Sequence, residues 1–330
     1  MRLNALSIIL GIVTLFSACQ NTNNTASVPA KQQEIVSVDF SADSAYRFVA
    51  DQVAFGPRVP GTTAHAQCLD YLSSTLKRFG AEVEIQEGTG TNYLGKPQII
   101  KNVIGRINPK KANRVILCAH WDCRPFADND PDKKLRDTPI DGANDGASGV
   151  GVLLEVARQL QIKESKIGVD IIFFDVEDMG TPSHKSGLKY LPDTWCLGSQ
   201  LWGQSLMGKS SQARYAILLD MVGAPNATFY KESYSQQWAS NIVDMIWQRA
   251  NKMGFGANFI NADGGFITDD HYYIHKHTGI PAVDIIQLDT QTSTSFASYW
   301  HTHQDTMDNV DRSTLHAVGS VVLGVLYNEK

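Results

Sequence analysis

The sequence predicts an α/β fold, a single domain with a central mixed, mostly parallel sheet covered by helices on both faces. Three observations support this prediction. Helix and strand patterns alternate from residue 40 onward. Several strand candidates are continuously apolar, as strands covered on both faces are. Hydrophobic residues make up 43% of the 330-residue chain, which is enough for one large core.

The first half of the domain is predicted as two helices followed by three strands. The second helix places Leu72 and Leu76 on one face and stops before Gly80. The third strand is the apolar run that ends before His120. The predicted helices cover 42–53 and 62–79, and the predicted strands cover 81–86, 99–107 and 114–119.

The second half alternates helices with strands. A glycine-rich turn at 142–149 leads into a helix over 150–160, and an apolar strand over 169–174 follows. The remaining elements are a strand over 215–219, a helix over 236–253, a strand over 282–286 and a terminal helix over 312–326.

Charge and cysteine content exclude several classes of protein. The chain has 29 Lys and Arg against 34 Asp and Glu, without long blocks of one sign, which argues against a dedicated nucleic-acid binder. Its 5 cysteines are too few and too irregular for a disulfide scaffold or a thiolate zinc site. Cys118 and Cys123 could pair in an oxidising compartment, or Cys118 could be a small core residue of its strand.

The N-terminus is typical of an export signal. The apolar run over 5–16 is shorter than the roughly 20 residues that a membrane span needs. The Phe-Ser-Ala-Cys segment that ends at Cys19 resembles a bacterial lipobox, which predicts lipidation of Cys19; the alternative is an ordinary signal peptide cut near Ala18. We therefore expect an exported protein, lipid-anchored to the bacterial cell envelope and facing the periplasm. The predicted organisation is a lipoprotein signal peptide over 1–18, the lipidated Cys and a flexible polar tether over 19–40, and the catalytic domain over 41–330.

Acids and histidines follow almost every apolar run. Ligands bind at the carboxyl ends of strands in open α/β sheets, so these residues should meet in one cleft. Any one of these residues could be a helix cap or a packed core residue. Several carboxylates in one cleft, however, need a cation to offset their charge. Nitrogen and oxygen ligands without thiolate are typical of hydrolytic zinc. The residues are His120, Asp122, Asp145, Asp175, Glu177, Asp178, Asp220, Asp269, Asp270, His271 and His301.

These motifs resemble the zinc aminopeptidase superfamily that contains the M28 peptidases and the glutaminyl cyclases. The segments 173–178, 220–226, 269–271 and 300–302 are similar to glutaminyl cyclases rather than to peptidases. The segments 124–141 and 195–200 resemble the bacterial, Bacteroidetes-type branch of glutaminyl-peptide cyclotransferases. The resemblance implies a zinc aminopeptidase-like fold from about Ser41 to the C-terminus.

The resemblance also implies roles for single residues. One zinc per chain would be held by Asp145, Asp178 and His301, with the fourth position open as a catalytic zinc requires. Animal cyclases usually have Glu where this chain has Asp178. Glu177 would be the general acid and base, with Asp220 and Asp269 forming a hydrogen-bonded acidic network beside it.

The substrate pocket and the surroundings of the metal complete the predicted site. Trp300 would form one wall of the pocket; Trp195 is the candidate for the facing aromatic, and Tyr190 competes with it. His120 and Asp122 would lie behind the ligands and hydrogen-bond there.

The predicted activity is that of a zinc-dependent glutaminyl-peptide cyclotransferase. Its substrates would be peptides and proteins with N-terminal glutamine. We expect the protein to bind the membrane through its lipid and to bind no nucleic acid. The alternative is an M28-type zinc aminopeptidase, in which His120 and Asp220 bind a second metal and Asp122 orients His120. A non-catalytic periplasmic binding protein is the third possibility, but it would not need an acid such as Glu177 next to a metal ligand.

Overall fold

Strands and helices alternate in the computed structural model, which describes residues 39–209 and 213–329. The predicted signal peptide, Cys19 and the tether up to residue 38 lie outside the described residues. The helices are α1 Ala42–Val53, α2 Thr63–Arg78, α3 Ala147–Ile162, α4 Leu197–Ser205, α5 Ser233–Lys252, α6 Asp270–Thr278 and α7 Arg312–Asn328. The strands are β1 Glu82–Thr91, β2 Pro97–Ile107, β3 Arg114–His120, β4 Gly168–Phe174, β5 Ala213–Asp220, β6 Phe229–Lys231, β7 Phe259–Asp263 and β8 Ala282–Ile286, and a short 3-10 turn covers Met307–Asn309.

The main sheet has six strands in the order β1-β2-β4-β3-β5-β8. Strands β4, β3, β5 and β8 are parallel, while β2 runs antiparallel to both β1 and β4. His120 lies opposite Phe174 in the register of β3 and β4, so these two strands end at the same level. The predicted mixed, mostly parallel sheet is confirmed, and its carboxyl edge collects the residues that follow β3, β4 and β5.

Helices cover both faces of the sheet, as predicted. Along β3, Val115 and Leu117 belong to the large core cluster that packs against α1, α2, α3, α5 and α7. Ile116 and Cys118 point to the other cluster, which includes Trp202 of α4 and Ile274 of α6. This alternation of buried side chains is the expected consequence of the two-residue period of a strand.

Helices α4 and α6 and the two-stranded sheet of β6 and β7 were not among the predicted elements. Helix α4 contains two glycines and several polar residues, and Cys196 enters it in a left-handed conformation without a side-chain cap. These features remove the periodicity and the capping signal that identify a helix. The thiols of Cys118 and Cys123 are free and buried. Among the described residues, none of the helices combines the length and the apolar character that a membrane crossing needs.

Candidate active site

A pocket of about 510 Å³ opens at the carboxyl edge of the sheet. The residues that line it come from the ends of β5 and β8, from α6 and from five loops. They are Asp145, Glu177, Asp178, Tyr190, Asp193, Trp195, Asp220, Met221, Ile267, Thr268, Asp269, Tyr272, Tyr273, Ile286, Phe296, Trp300 and His301.

Three of these residues form a compact group of possible metal ligands. The imidazole Nε2 of His301 lies 3.2 Å from Asp178 Oδ1 and 3.4 Å from Asp145 Oδ2, and all three side chains are buried. The second carboxylate oxygen of Asp178 is buried and has no hydrogen-bond partner among the described residues. Two buried carboxylates and one imidazole, with one oxygen unpaired, fit a divalent cation such as zinc.

The backbone of Asp145 is held from the far end of the chain. The carboxylate of Asp305 accepts the backbone N–H groups of Asn144 at 2.7 Å and of Asp145 at 3.0 Å. Gly146 follows with φ of 88°, and a Cβ atom there would lie only 2.8 Å from His120 Cε1. Glycine is therefore required at the start of α3 to keep Asp145 next to His120.

The acid pair Glu177 and Asp178 is held by Asp122. The buried Asp122 carboxylate accepts the backbone N–H of Glu177 at 3.0 Å and of Asp178 at 3.2 Å. Val176 just before them has φ of 59°, a strained value for a β-branched residue. We expected Asp122 to act behind His120, and its carboxylate does lie 3.6 Å from His120 Nδ1. The two hydrogen bonds that Asp122 accepts from Glu177 and Asp178 are shorter than this distance, and they were not predicted.

Two residues behind the ligands were missed by the sequence analysis. The Asp128 carboxylate lies 3.4 Å from His301 Nδ1 and accepts hydrogen bonds from the Arg124 guanidinium at 2.7 and 2.8 Å. Arg124 also donates to the backbone oxygen of Asp178 at 3.0 Å. Burial alone raises the pKa of Asp128, but the hydrogen bonds from Arg124 and His301 outweigh burial and hold that pKa well below its usual range. Both residues lie at the start of the segment 124–141, and the resemblance of that segment to the bacterial cyclases implied no role in the site for either of them.

A second group of side chains shares Asp145 with the first. His120 Nε2 lies 3.0 Å from Asp145 Oδ1 and 3.3 Å from Asp220 Oδ1. Burial alone lowers the pKa of His120, but the neighbouring carboxylates of Asp122, Asp145 and Asp220 raise it well above its usual value. The side chains that a two-metal site needs are therefore close together, as the aminopeptidase alternative requires. His120 is also within hydrogen-bonding distance of Asp145 and Asp220, as the cyclase interpretation expects.

Glu177 faces Asp269 and a cysteine. The atoms of Glu177, Asp269 and Cys196 that could bind a metal all lie within 4.8 Å of one another, and Cys196 Sγ donates a hydrogen bond to Glu177 Oε1 at 3.2 Å. Burial raises the pKa of Glu177 well above its usual value; His120 opposes this, and the charges of Asp178 and Asp269 add to it. Burial and the charge of Asp220 raise the pKa of Asp269 to about 7.

Aromatic rings form the walls of the pocket. The Trp300 ring stacks on the His301 imidazole with centroids 3.8 Å apart. The Trp195 ring lies nearly parallel to the same imidazole at 6.4 Å, with the Arg124 guanidinium 4.5 Å from its centroid. Tyr190 lines the pocket too but is 77% exposed, so the structure brings both candidates for the second aromatic to the pocket.

The family model of peptidase family M28 matches residues 102–326. The chain belongs to this family. Among solved structures, the M28 chain is similar to a Zn-dependent exopeptidase from Parabacteroides distasonis (54% identity, TM-score 0.86, covering 88% of this chain and 99% of that one). It is also similar to Tannerella forsythia glutaminyl cyclase (52% identity, TM-score 0.86, covering 89% and 100%). Among curated proteins it is 25% identical over 291 residues to the glutaminyl-peptide cyclotransferase-like protein of Bos taurus, covering 80% of this chain and 70% of that protein. The predicted fold and family are confirmed.

Proposed function

We propose that this M28 chain is a glutaminyl-peptide cyclotransferase, which converts the N-terminal glutamine of peptides and proteins to pyroglutamate and releases ammonia. The observation that carries the proposal is its 52% identity to a glutaminyl cyclase over 89% of the chain. The site supports it, because a buried acid, Glu177, lies beside a group of metal-ligand type in a pocket with tryptophan walls.

The resident metal in this proposal is one zinc per chain, held by Asp145, Asp178 and His301. One carboxylate oxygen of Asp178 is unpaired, and all the donor atoms of this group are nitrogen or oxygen. Both observations support zinc. When bound, zinc would supply Lewis-acid polarisation of the substrate's γ-carbonyl group.

The protein's own residues move the protons. In the reaction, the α-amine of the glutamine attacks its own γ-amide carbon, one C–N bond forms, and the bond to the departing ammonia breaks. Glu177 takes a proton from the attacking amine and delivers one to the departing nitrogen. A carboxyl whose pKa is raised suits this exchange. Asp220 and Asp269 form the acidic surroundings of Glu177, and Trp300 and Trp195 shield the first residue of the substrate from water.

An aminopeptidase is the second candidate, because His120, Asp145 and Asp220 form a complete second group of metal-ligand type. The two activities differ in their need for a side-chain amide. A peptidase activates water against a backbone carbonyl and should release the first residue of many peptides, whereas a cyclase needs a side chain that folds back onto its own amine.

A comparison of two peptides tests the proposal. A Gln-initiated peptide should yield ammonia and a pyroglutamyl peptide with the same number of residues, and a Leu-initiated peptide that otherwise has the same sequence should stay intact. Mass spectrometry with an ammonia assay measures both. If free leucine were released from the Leu-initiated peptide as fast as ammonia is released from the Gln-initiated peptide, the protein would be an aminopeptidase instead.

For the location, we propose that Cys19 carries a lipid that holds the enzyme to the cell envelope, facing the periplasm. The lipobox-like segment that ends at Cys19 supports this. Cys19→Ala should prevent labelling by a fatty-acid probe, and the protein should then either retain its signal peptide or be released in soluble form. Recovery of the wild-type protein wholly in the soluble periplasmic fraction would contradict it.

A further inference from the structure

We propose that a strip of partly exposed aromatic rings next to the pocket binds apolar side chains of the second and third residues of the substrate. The strip, here named the aromatic track, consists of Tyr272, Tyr234, Phe266 and Trp238. The inference rests on the proposed function, since it concerns the peptide that follows the glutamine in the pocket.

The four rings are in contact with one another. The Tyr234 ring lies 5.0 Å from that of Tyr272, 4.8 Å from that of Phe266 and 4.9 Å from that of Trp238, measured between centroids. Trp238 in turn stacks on His275 at 4.2 Å. Edge-to-face and stacked contacts at these separations are favourable, so the rings form one continuous surface.

The aromatic track is partly exposed to solvent, and Phe266 is its most exposed ring. Phe266 is 67% exposed, and Tyr234, Trp238 and Tyr272 are half-buried. Large apolar groups gathered on a surface are typical of a binding site.

Hydrogen bonds hold the exposed Phe266 in place. Its loop is tied to the segment before α5 by Gly264 N–H to Lys231 O at 2.8 Å and by Ser233 N–H to Gly265 O at 2.8 Å. The buried Glu232 carboxylate accepts the backbone N–H of Ile267 at 3.1 Å. A ring on a loop fixed in this way loses little freedom when a ligand binds, which favours binding.

The same Glu232 joins all the segments that carry the aromatic track. Its carboxylate caps α5 by accepting the N–H of Tyr234 at 2.8 Å, and it lies 3.0 Å from Nε2 of the buried His271 in α6. The loop of Phe266, the start of α5 and the start of α6 therefore meet at one carboxylate, and the four rings keep a fixed relation to one another.

Continuity with the pocket identifies the occupant. Tyr272 lines the pocket and is also the first ring of the aromatic track, and Ile267, next to Phe266, lines the pocket as well. A chain that leaves the pocket at this side meets the rings directly. Two steps of about 5 Å between rings correspond to two or three residues of extended chain, which rises about 3.3 Å per residue.

Charge at this part of the rim does not oppose an apolar substrate. The ammonium group of Lys276 lies 5.6 Å from the Tyr272 ring and 3.4 Å from Asp193 Oδ1, so the two opposite charges offset each other. The aromatic track should therefore select for apolar surface rather than for a charged side chain.

The test compares three peptides, Gln-Ala-Ala, Gln-Phe-Ala and Gln-Ala-Phe, by kcat/KM for ammonia release. A phenylalanine in at least one of the two positions should raise kcat/KM about tenfold over Gln-Ala-Ala, which corresponds to about 1.4 kcal/mol. Phe266→Ser should remove most of this preference and leave kcat/KM for Gln-Ala-Ala within about twofold of wild type. The matched control is Ile162→Ser, because Ile162 is also 67% exposed but ends α3 away from the pocket. The control should keep the full preference.

The outcomes separate this inference from the proposed function. Equal kcat/KM for all three peptides in the wild-type enzyme, or an unchanged preference in Phe266→Ser, would overturn the aromatic track and leave the cyclase assignment intact. Failure to cyclise any of the three peptides would overturn the proposed function, and the inference would fall with it.

Discussion

Replacing Asp122 by asparagine should destabilise the protein and slow the reaction. The buried carboxylate accepts one backbone N–H with each oxygen, from Glu177 at 3.0 Å and from Asp178 at 3.2 Å. Asparagine has only one acceptor oxygen, so its NH₂ group would face one of the two backbone donors. The change removes one hydrogen bond to a charged group, worth about 1.5–3 kcal/mol, and leaves a buried donor unpaired, at about 1–3 kcal/mol.

Together these terms predict a loss of about 2.5–6 kcal/mol in the free energy of unfolding. Globular proteins gain about 2.1 cal/mol/K of entropy per residue on unfolding, so for about 290 described residues the Tm should fall by about 4–10 °C. The turnover number should fall as well, by about 10² if the acid pair moves by about 1 Å. Urea titration and thermal melts followed by circular dichroism measure the first effect, and ammonia release from a Gln-initiated peptide measures the second.

Asp130→Asn is the matched control for Asp122→Asn. The Asp130 carboxylate is buried and accepts the backbone N–H groups of Asp132 at 2.8 Å and of His303 at 3.1 Å, but it does not line the pocket. This variant should also lose stability while its turnover stays close to that of wild type. A free energy of unfolding within about 0.5 kcal/mol of wild type together with unchanged turnover in Asp122→Asn would refute the positioning role of Asp122.

Three further predictions follow from the site and its surroundings. His301→Ala should lose the metal from purified protein while His120→Ala keeps one ion per chain, as measured by elemental analysis; two metals per active wild-type chain would instead make His120 a ligand. Glu177→Gln should lower turnover by about 10² to 10⁴ with metal content unchanged, and full activity in this variant would move the proton transfer to Asp269 or Asp220. Burial raises the pKa of Glu232, but the hydrogen bond and charge of His271, together with the backbone N–H groups of Ser235 and Tyr234, outweigh burial and bring that pKa below its usual value of 4.5. The stability gained from the Glu232 carboxylate is present above pH 4.5 and is lost as the pH falls below it. The urea midpoint of Glu232→Gln should therefore drop less than that of wild type between about pH 6 and about pH 3.5. Equal drops in the two proteins would contradict this contribution.

Much of the fold could be predicted from the sequence because its central elements carry strong local signals. The apolar strands β3, β4, β5 and β8 are buried throughout most of their length, and an apolar run reports that burial directly. Helix α6 carries no such signal, because its sequence is largely polar and aromatic and its position depends on Glu232, 39 residues before His271. Contacts of that range are set by tertiary packing and leave no periodic pattern.

The candidate site likewise contains some residues that could be predicted from the sequence and others that could not. Residues at or just after the ends of strands, such as His120, Glu177 and Asp220, could be expected together, since the ends of parallel strands meet at one edge of a sheet. Asp128 and Asp305 could not, because each acts from an irregular segment on a residue more than 150 positions away. Only the folded chain shows that Asp128 lies behind His301 and that Asp305 holds the backbone of Asp145.

The role of Asp305 bears on the order of events when the chain is made. Every strand of the main sheet is complete at Ile286, but Asp145 gains its backbone support only from Asp305, and His301 also comes after the last strand. A growing chain therefore contains every strand of its sheet before it contains the residues that complete the site. Because domains fold as units with the N-terminal part synthesised first, the ability to hold a metal should be among the last properties that the protein acquires. A fragment that stops between the last strand and residue 301 would lack His301, Asp305 and the buried face of α7, so it should bind no metal at this site.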